Sequence, residues 1–252
     1  MDELKGRVIL VAGATGSIGR AVADQLRGAG ATLVAHGFSE ARVAALGDGV
    51  DGPAAIERAD LRDLAATKAM FTRISDRFGA LHGLVNCVQA RMDGVTGRFE
   101  EVDPGKYPER ILGSLLPLMH LCREGIPLLR AAAGASIVAF ASDAGKVAYP
   151  GQALTGPVMA AVMMFTRTLA LELSGDGIRA NCISPTFVRD TETYDRSIAT
   201  GAQSRALSAE KRARLGLPGP DDLAALARFL CGPGSAHLTG QVISVNGGLS
   251  AA

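Results

Sequence analysis

The sequence predicts an α/β protein, folded as a single doubly wound domain around a mostly parallel, seven-stranded sheet. The chain has 252 residues, a length typical of one α/β domain. Short apolar runs alternate with longer amphipathic segments along the whole chain, and we find no linker, repeat or low-complexity stretch between them. The short runs are apolar almost throughout, as expected for strands that helices cover on both faces of a sheet.

Each predicted element follows from its own pattern. The apolar runs predict strands at residues 7–12, 31–35, 81–87, 136–141, 179–183 and 241–245, and the third strand of the chain is predicted to end at residues 59 and 60. Helical periodicity predicts helices at residues 18–26, 41–46, 111–129, 158–173 and 223–230, and a further helix that follows the third strand and continues to residue 78. Gly28 and Gly30 end the first helix. Residues 190–215 are polar and show little periodicity, so we expect a segment outside the sheet there.

The composition excludes some function classes. Hydrophobic residues make up 48% of the chain and charged residues 20%, which is enough for a sizeable core and argues against disorder. The 26 Lys and Arg residues nearly balance the 25 Asp and Glu residues, which argues against a general nucleic-acid binder. No uninterrupted apolar run reaches the roughly 18 residues that span a bilayer, and residues 1–3 do not begin a signal peptide. We therefore expect a cytoplasmic protein without a membrane partner.

The cysteines and histidines predict no metal site. None of the cysteines forms a CxxC pair, and each lies in an apolar run, so we expect buried free thiols at Cys87, Cys122, Cys182 and Cys231. The four histidines are scattered without the spacing of metal ligands.

A glycine-rich loop follows the first strand. Gly13, Gly16 and Gly19 are separated in the pattern GxxGxxG, with Ser17 and Ile18 between them, and a helix begins there. Unpaired amides at a helix start, approached through residues without a side chain, suit a pyrophosphate. The loop thus predicts dinucleotide binding in a Rossmann-type domain.

The end of the second strand does not decide between NAD and NADP. A nicotinamide site often carries an acid there for the adenine ribose, and this chain has His36 instead. No arginine stands directly beside it to hold a 2′-phosphate, although Arg42 lies one helical turn further on. Both cofactors therefore remain open.

From about residue 5 onward the chain resembles the short-chain dehydrogenase/reductase family. Several ordered segments carry the resemblance: the glycine loop, Asp60-Leu61 after strand three, Leu84-Val85-Asn86, Leu169–Leu173, Gly177–Asn181, Ser184-Pro185 and Thr239–Gly248. The resemblance implies that Asp60 contacts the adenine and that Asn86 begins a motif lining the cofactor. In that motif a family glycine is replaced by Gln89, whose side chain could intrude where the nicotinamide ribose would lie.

The resemblance also implies a catalytic tetrad, and this chain departs from it. The family serine is retained as Ser142, whereas the tyrosine, lysine and asparagine positions hold Thr155, Met159 and Ser114. Threonine has no acidic phenol, and methionine has neither charge nor a hydrogen-bond donor. Pro185-Thr186 and Asp190 replace further family residues. We therefore expect NAD(P) affinity to be reduced or lost, mainly in the nicotinamide half of the site.

Local patterns suggest structural roles for the replacements. Pro157 fits only the first turn of a helix, so Thr155 is expected to cap that helix rather than to act as an acid. Met159, Met163 and Met164 are expected to pack in the core. Tyr149 could bring a phenol into a redesigned site or form part of its rim. For His120 an interface or core role is expected rather than that of a base.

Four functional hypotheses remain open at this stage, the fourth being a ligand-sensing or regulatory protein. The first is a non-catalytic subunit that pairs with an active hydroxyacyl-CoA dehydrogenase or ketoreductase of the same family, in a heterotetramer. A homotetramer is the alternative assembly. The second is a divergent but active NAD(P)-dependent oxidoreductase, and the third is a non-redox lyase, hydrolase or isomerase. Residues 190–215 correspond to the family's substrate lid, and its basic residues could meet the phosphates of an acyl-CoA: Arg196, Arg205, Lys211, Arg212 and Arg214.

Overall fold

The structure, a computed structural model, describes residues 3–47, 55–90, 94–199 and 203–251. The expectations for Met1 and Asp2 and for the side chain of Arg205 lie outside this part of the chain. Seven strands form one sheet: β1 Val8–Ala12, β2 Thr32–Gly37, β3 Ala55–Arg58, β4 Gly83–Asn86, β5 Ser136–Phe140, β6 Arg179–Pro185 and β7 Val242–Val245. Their order is β3-β2-β1-β4-β5-β6-β7, and every pair is parallel. The predicted fold class is confirmed.

The helices cover both faces of this sheet. They are α1 Ser17–Gly28, α2 Glu40–Gly47, α3 Leu64–Phe78, α4 Tyr107–Arg130, α5 Thr155–Leu173, α6 Glu192–Ala199, α7 Gln203–Arg212 and α8 Pro220–Cys231. β1 shows how the two faces divide: Ile9 and Val11 join the core under α1 and α8, while Leu10 and Ala12 join the core under α3, α4 and α5. Alternate side chains of one strand therefore enter two different cores, which explains its unbroken apolar sequence.

The helix α5 is part of the helix layer that covers one face of the sheet. With the short turn that follows, Thr155–Asp176 is long and apolar enough to cross a membrane by length and composition, although polar residues interrupt the run. It packs against β5, β6 and α4, as a core helix does. Met159 and Met163 are buried in the core as expected, but Met164 lies on the outer side and is 59% exposed, so its predicted core role was wrong.

Residues 190–215 contain more structure than their sequence predicts. They form α6 and α7, two short helices that pack on each other. A small apolar cluster of Ala209, Ala213, Leu217 and Leu249 lies beneath them, with Tyr149, Phe187 and Tyr194 packed against it. Helices of this length bury too few apolar residues to show a clear period in the sequence.

The strand order places the candidate site. The chain leaves β1 toward β2 on one side and returns at β4 on the other, so the carboxyl ends of β1 and β4 flank the point where the order reverses. In open parallel sheets, ligands bind at this edge. The glycine loop, Asn86, Ser142 and the segment after β6 all follow carboxyl ends of strands and therefore meet there.

Candidate functional site

The glycine loop brings the chain into close contact at two positions. Gly13 has a φ of 82°, in the left-handed region that favours glycine. A Cβ placed on Gly13 would lie 3.1 Å from the backbone carbon of Cys87, and one on Gly19 would lie 2.1 Å from the carbonyl oxygen of Gly13. A side chain at Gly19 would therefore push the loop away from the helix that follows it.

The start of α1 presents unpaired amides to this loop. Gly16 precedes the helix and has no side chain to cap it, and the first turn carries no acid. The first intrahelical hydrogen bond runs from Arg20 N to Gly16 O. The amides of Ser17, Ile18 and Gly19 precede this ladder, so an anion placed there would accept from them. These residues fit a dinucleotide pyrophosphate.

His36 lies beneath the glycine loop and accepts a hydrogen bond from it. It is buried, its Nε2 lies 3.1 Å from Ala59 O, and Gly13 N donates to its Nδ1 over 3.4 Å. Because the Ala59 carbonyl can only accept, Nε2 carries a proton. Because Nδ1 accepts from Gly13 N, it carries none, and the ring is neutral. Burial lowers the pKa of His36, and the Ala59 contact and Asp60 oppose that shift only in part. His36 therefore has a structural role between β1, β2 and β3.

The adenine end carries an acid that is already bound by an arginine. Arg62 donates from Nε and Nη2 to Asp60, with a shortest distance of 2.7 Å. These hydrogen bonds from Arg62 lower the pKa of Asp60. The guanidinium of Arg62 also lies 5.8 Å from the ring centre of the exposed Phe38. Leu61 is buried, and its carbonyl accepts from His120 Nδ1 at 2.9 Å, which gives His120 a structural contact.

Arg42, the residue considered for a 2′-phosphate, makes another contact. Its Nη2 lies 2.9 Å from Oε1 and 3.0 Å from Oε2 of Glu192 in α6. The ion pair joins α2 to the segment 190–215, which therefore reaches across to the side of the sheet that carries the glycine loop.

The end of β4 carries Asn86 and Gln89, two residues that the resemblance places along the cofactor. Asn86 is buried, its Oδ1 accepts from Val88 N, and its Nδ2 has no hydrogen bond within the described residues. Gln89 Nε2 donates to Phe140 O at 2.8 Å, so this amide bridges the carboxyl ends of β4 and β5. The expectation that Gln89 obstructs the ribose stays a prediction.

Ser142 is present at the carboxyl end of β5, but it has no base beside it. Its Oγ accepts from Ala144 N over 3.4 Å, the start of a short turn at Asp143–Gly145. No described histidine, lysine or carboxylate donates to or accepts from that hydroxyl. Ser142 on its own is a weak nucleophile.

The neighbouring Asp143 is fully buried and is the centre of a polar cluster. Five side chains donate to it: Ser184 Oγ at 2.7 Å, Ser244 Oγ at 2.8 Å, Asn246 Nδ2 at 2.6 Å, and Thr186 Oγ1 and Ser250 Oγ at 3.2 Å. Burial acts to raise the pKa of Asp143, but the hydrogen bonds and the nearby Lys146 outweigh it, so the pKa is lowered. We name this group the Asp143 cluster; it ties β5, β6, β7 and the C-terminal segment together.

By the resemblance, the tyrosine and lysine positions of the family correspond to Thr155 and Met159 in this chain. Met159 is 1% exposed and belongs to the apolar core. Thr155 is the first residue of α5, the capping position is Leu154, and Thr155 Oγ1 is buried without a hydrogen bond. The predicted capping role of Thr155 was therefore wrong. To be capped by Thr155, the helix would have to begin at Gly156, and it begins one residue earlier, at Thr155 itself. The expectation that NAD(P) affinity is reduced in the nicotinamide half of the site stays a prediction.

Ser114, which the resemblance assigns to the asparagine position, faces a buried cation. Ser114 Oγ accepts from Ala90 N at 3.3 Å and from Arg110 Nη1 at 3.0 Å. Arg110 also donates to Ala90 O at 3.3 Å and is only 2% exposed. Sequence reasoning missed Arg110 because helical periodicity does not distinguish a buried arginine from an exposed one.

Tyr149 lies beside the segment 190–215. Its ring packs against the small cluster under α7, and its hydroxyl is buried without a hydrogen bond to any described residue. Neither a rim role nor a catalytic role follows from this contact alone.

Four buried side-chain polar atoms in the described chain lack a hydrogen-bond partner, and all belong to residues around the site: Asn86 Nδ2, Arg110 Nε, Tyr149 OH and Thr155 Oγ1.

The four cysteines are free, as expected. Cys122, Cys182 and Cys231 are buried, and burial raises their thiol pKa to about 12. Cys87 is half-buried, and burial of its thiol likewise raises its pKa. Within the described residues no group of three or more His, Cys, Asp or Glu side chains could hold a metal ion.

Comparison with known proteins gives consistent matches. Residues 13–250 match the family model described as enoyl-(acyl carrier protein) reductase. The chain is 27% identical over 247 residues to 3-oxoacyl-(acyl-carrier-protein) reductase of Vibrio harveyi, covering 98% of each chain. It superposes with a TM-score of 0.90 and 27% identity on a short-chain glucose/ribitol dehydrogenase from Brucella melitensis, covering 99% of each chain.

A further solved structure is similar at the level of the whole chain. It is an NADPH-bound short-chain oxidoreductase from Pseudomonas aeruginosa PAO1, described as containing an atypical catalytic center. The TM-score is 0.87 at 26% identity, and 98% of each chain is covered.

Proposed function

Because the chain belongs to the short-chain dehydrogenase/reductase family, we propose that it is a non-catalytic, dinucleotide-binding subunit of an oxidoreductase. It pairs with an active hydroxyacyl-CoA dehydrogenase or ketoreductase of the same family. The single observation that carries the proposal is Met159, which lies fully buried in the core where the family has its lysine. No rearrangement of this thioether supplies a charge or a donor.

The glycine loop supports retention of part of the cofactor site. Gly13, Gly16 and Gly19 with the amides of Ser17 and Ile18 would hold the pyrophosphate, and a bound nicotinamide would supply hydride transfer. Asp60 would meet the adenine only after its contact with Arg62 rearranges. The expected result is a protein that binds ADP or NADPH more weakly than its active relatives.

Exposed apolar side chains on α4 and α5 support assembly through these helices. Burial of apolar surface drives association, and such residues on two neighbouring helices favour an oligomer. They are Ile111, Leu112, Met119, Met164 and Leu171. Hetero-oligomer and homo-oligomer are separated by experiment. We also propose a cytoplasmic location and a lid role for residues 190–215, facing a small-molecule or acyl-CoA substrate.

The test is purification of the tagged chain, expressed at its natural level, from the native source. We expect a second family member with an intact tyrosine and lysine in equal ratio, and activity only when both chains are present. Isothermal titration with NADPH and with ADP measures cofactor retention; the chain has no tryptophan to report it by fluorescence. A homo-oligomer that reduces acetoacetyl-CoA on its own would refute the proposal.

A second candidate is a divergent, active oxidoreductase. It is favoured by the buried, unbonded hydroxyl of Tyr149 beside the segment 190–215, and by the similar NADPH-bound protein with an atypical catalytic center. Tyr149→Phe separates the two candidates, since the lost hydroxyl has no hydrogen bond to break. If Tyr149 donates the proton, the variant loses turnover at an unchanged Tm.

A further inference from the structure

Arg110 is a buried arginine without an acid partner in the described chain. Its Nη1 donates to two neutral groups, Ser114 Oγ at 3.0 Å and Ala90 O at 3.3 Å. No described carboxylate forms an ion pair with it. Burial lowers the pKa of Arg110 to about 10, so the guanidinium stays charged at neutral pH. A buried charge without a counter-charge is unfavourable, because no opposite charge offsets the loss of its hydration.

The guanidinium has one edge free. Nε is buried and has no hydrogen-bond partner among the described residues. Both of the side chain's hydrogen bonds to described groups come from Nη1, and none comes from Nη2. Nε and Nη2 together form the side-on edge, whose two parallel N–H groups match the two oxygens of a carboxylate. This chain uses the same edge elsewhere: Arg62 donates from Nε and Nη2 to the two oxygens of Asp60, and Arg73 donates from the same two nitrogens to Oε2 of Glu57.

The position of Arg110 links this edge to the candidate site. Ser114 occupies the family's asparagine position, and Ala90 directly follows Gln89 at the end of β4. A Cβ on Gly113 would lie 2.9 Å from Ala90 Cβ, so α4 and this segment are in tight contact. Thr155 Oγ1 and Asn86 Nδ2, on the start of α5 and the end of β4, are also buried and unbonded.

We propose that the free edge of Arg110 binds the carboxylate of a small-molecule ligand that enters the candidate site. The ligand supplies the negative charge that the described chain does not place beside this arginine, and its two oxygens accept from Nε and Nη2. The site is separate from the pyrophosphate cradle at α1, and the proposal holds whether or not the chain turns its ligand over.

The first experiment follows the thermal unfolding of the full chain with sodium acetate as the probe and acetamide as its uncharged counterpart. Ionic strength is held constant with sodium chloride. We expect acetate to raise the Tm and acetamide to leave it unchanged. Arg110→Met removes both the charge and the paired Nε–H and Nη2–H donors. Acetate binding should therefore weaken by about tenfold or more, as for loss of a charge-assisted hydrogen bond. Arg123→Met, an exposed arginine on the same helix, is the matched control and keeps the full response.

A structural role would give a different result. If Arg110 only supported the fold, Arg110→Met would lower the Tm without ligand; we expect it to leave the Tm unchanged or higher, because an uncompensated charge is removed. Should Arg110→Met fail to fold, Arg110→Lys takes its place, because it keeps the charge and lacks the paired Nε–H and Nη2–H donors. In ¹⁵N NMR of the wild type, the Arg110 Nε–H signal is expected to shift with acetate.

Three outcomes would overturn the proposal. The first is an equal acetate response in wild type and Arg110→Met. The second is an Nε–H signal that does not move with acetate. The third is a response to inorganic phosphate without one to acetate, which would assign the edge to a phosphate group.

Discussion

Removing the carboxylate of Asp143 is expected to destabilise the protein strongly. Asp143→Ala leaves five buried or half-buried donors without their acceptor, three of which bind it at 2.6–2.8 Å. Hydrogen bonds to a charged group contribute about 1.5–3 kcal/mol each, but they are not additive, and the carboxylate's own desolvation opposes them. We therefore expect a loss of about 3–5 kcal/mol, the range found when one partner of a buried charged network is deleted.

The assay is thermal unfolding followed by circular dichroism at one fixed protein concentration. A chain of about this size loses about 2–4 °C in Tm per kcal/mol, so Tm should fall by about 6–20 °C. Thr186→Val is the matched control, since it removes a single 3.2 Å hydrogen bond to Asp143 and should cost about 1.5 kcal/mol. A Tm for Asp143→Ala within about 3 °C of the wild type would refute the reasoning.

Acidification tests the same cluster without a deletion. The folded pKa of Asp143 lies below its ordinary value of 3.8, so the carboxylate's contribution is present above pH 3.8 and is lost as the pH falls through the folded pKa. Asp143→Asn resembles the protonated acid. The stability difference between wild type and Asp143→Asn should therefore be constant at neutral pH and narrow only in that acidic range, which urea unfolding at each pH measures.

Three further predictions concern the site. Burial lowers the pKa of His36 below 6.5, so the free energy of unfolding of the wild type, measured in urea, should fall as the pH falls below 6.5. His36→Asn should lose less stability over the same pH range. An equal dependence of stability on pH in the two proteins would contradict this. Gly19→Ala should weaken ADP binding in calorimetry by about tenfold or more, because its Cβ displaces the loop, whereas Gly28→Ala, in open space, should bind like the wild type. Met159→Lys should lower the Tm, because it buries an ammonium group at a cost of about 3 kcal/mol or more, and it should not create reductase activity. Met159→Leu is the control and should stay stable. Reductase activity of Met159→Lys at an unchanged Tm would argue against a repacked site.

The parts of the fold that were predictable depend on neighbours in sequence. Ile9 and Leu10 are both apolar because a parallel sheet between two helix layers buries both faces, and such a run is visible without a structure. The glycine loop was equally visible, since its geometry depends on three residues spaced by three. α6 and α7 were not, because short helices on a surface carry little periodicity.

The parts of the site that were missed depend on distant residues. The partners of Asp143 lie 41 to 107 positions further along the chain, and no spacing rule connects them. Arg110 likewise takes its buried contact with Ala90 from 20 positions away. The error at Thr155 has another cause: a capping role changes with a shift of one residue, and helix ends are defined no better than that from sequence.

The Asp143 cluster also constrains the order in which the chain can acquire its native structure during synthesis. Asp143 emerges from the ribosome long before Ser244, Asn246 and Ser250, the donors 101 to 107 positions later. Until they arrive, burial of that carboxylate is unfavourable, so the segment behind Ser142 stays solvated. The first half of the sheet can form from nearby contacts, whereas the candidate site closes only once the last strand has been translated and docked.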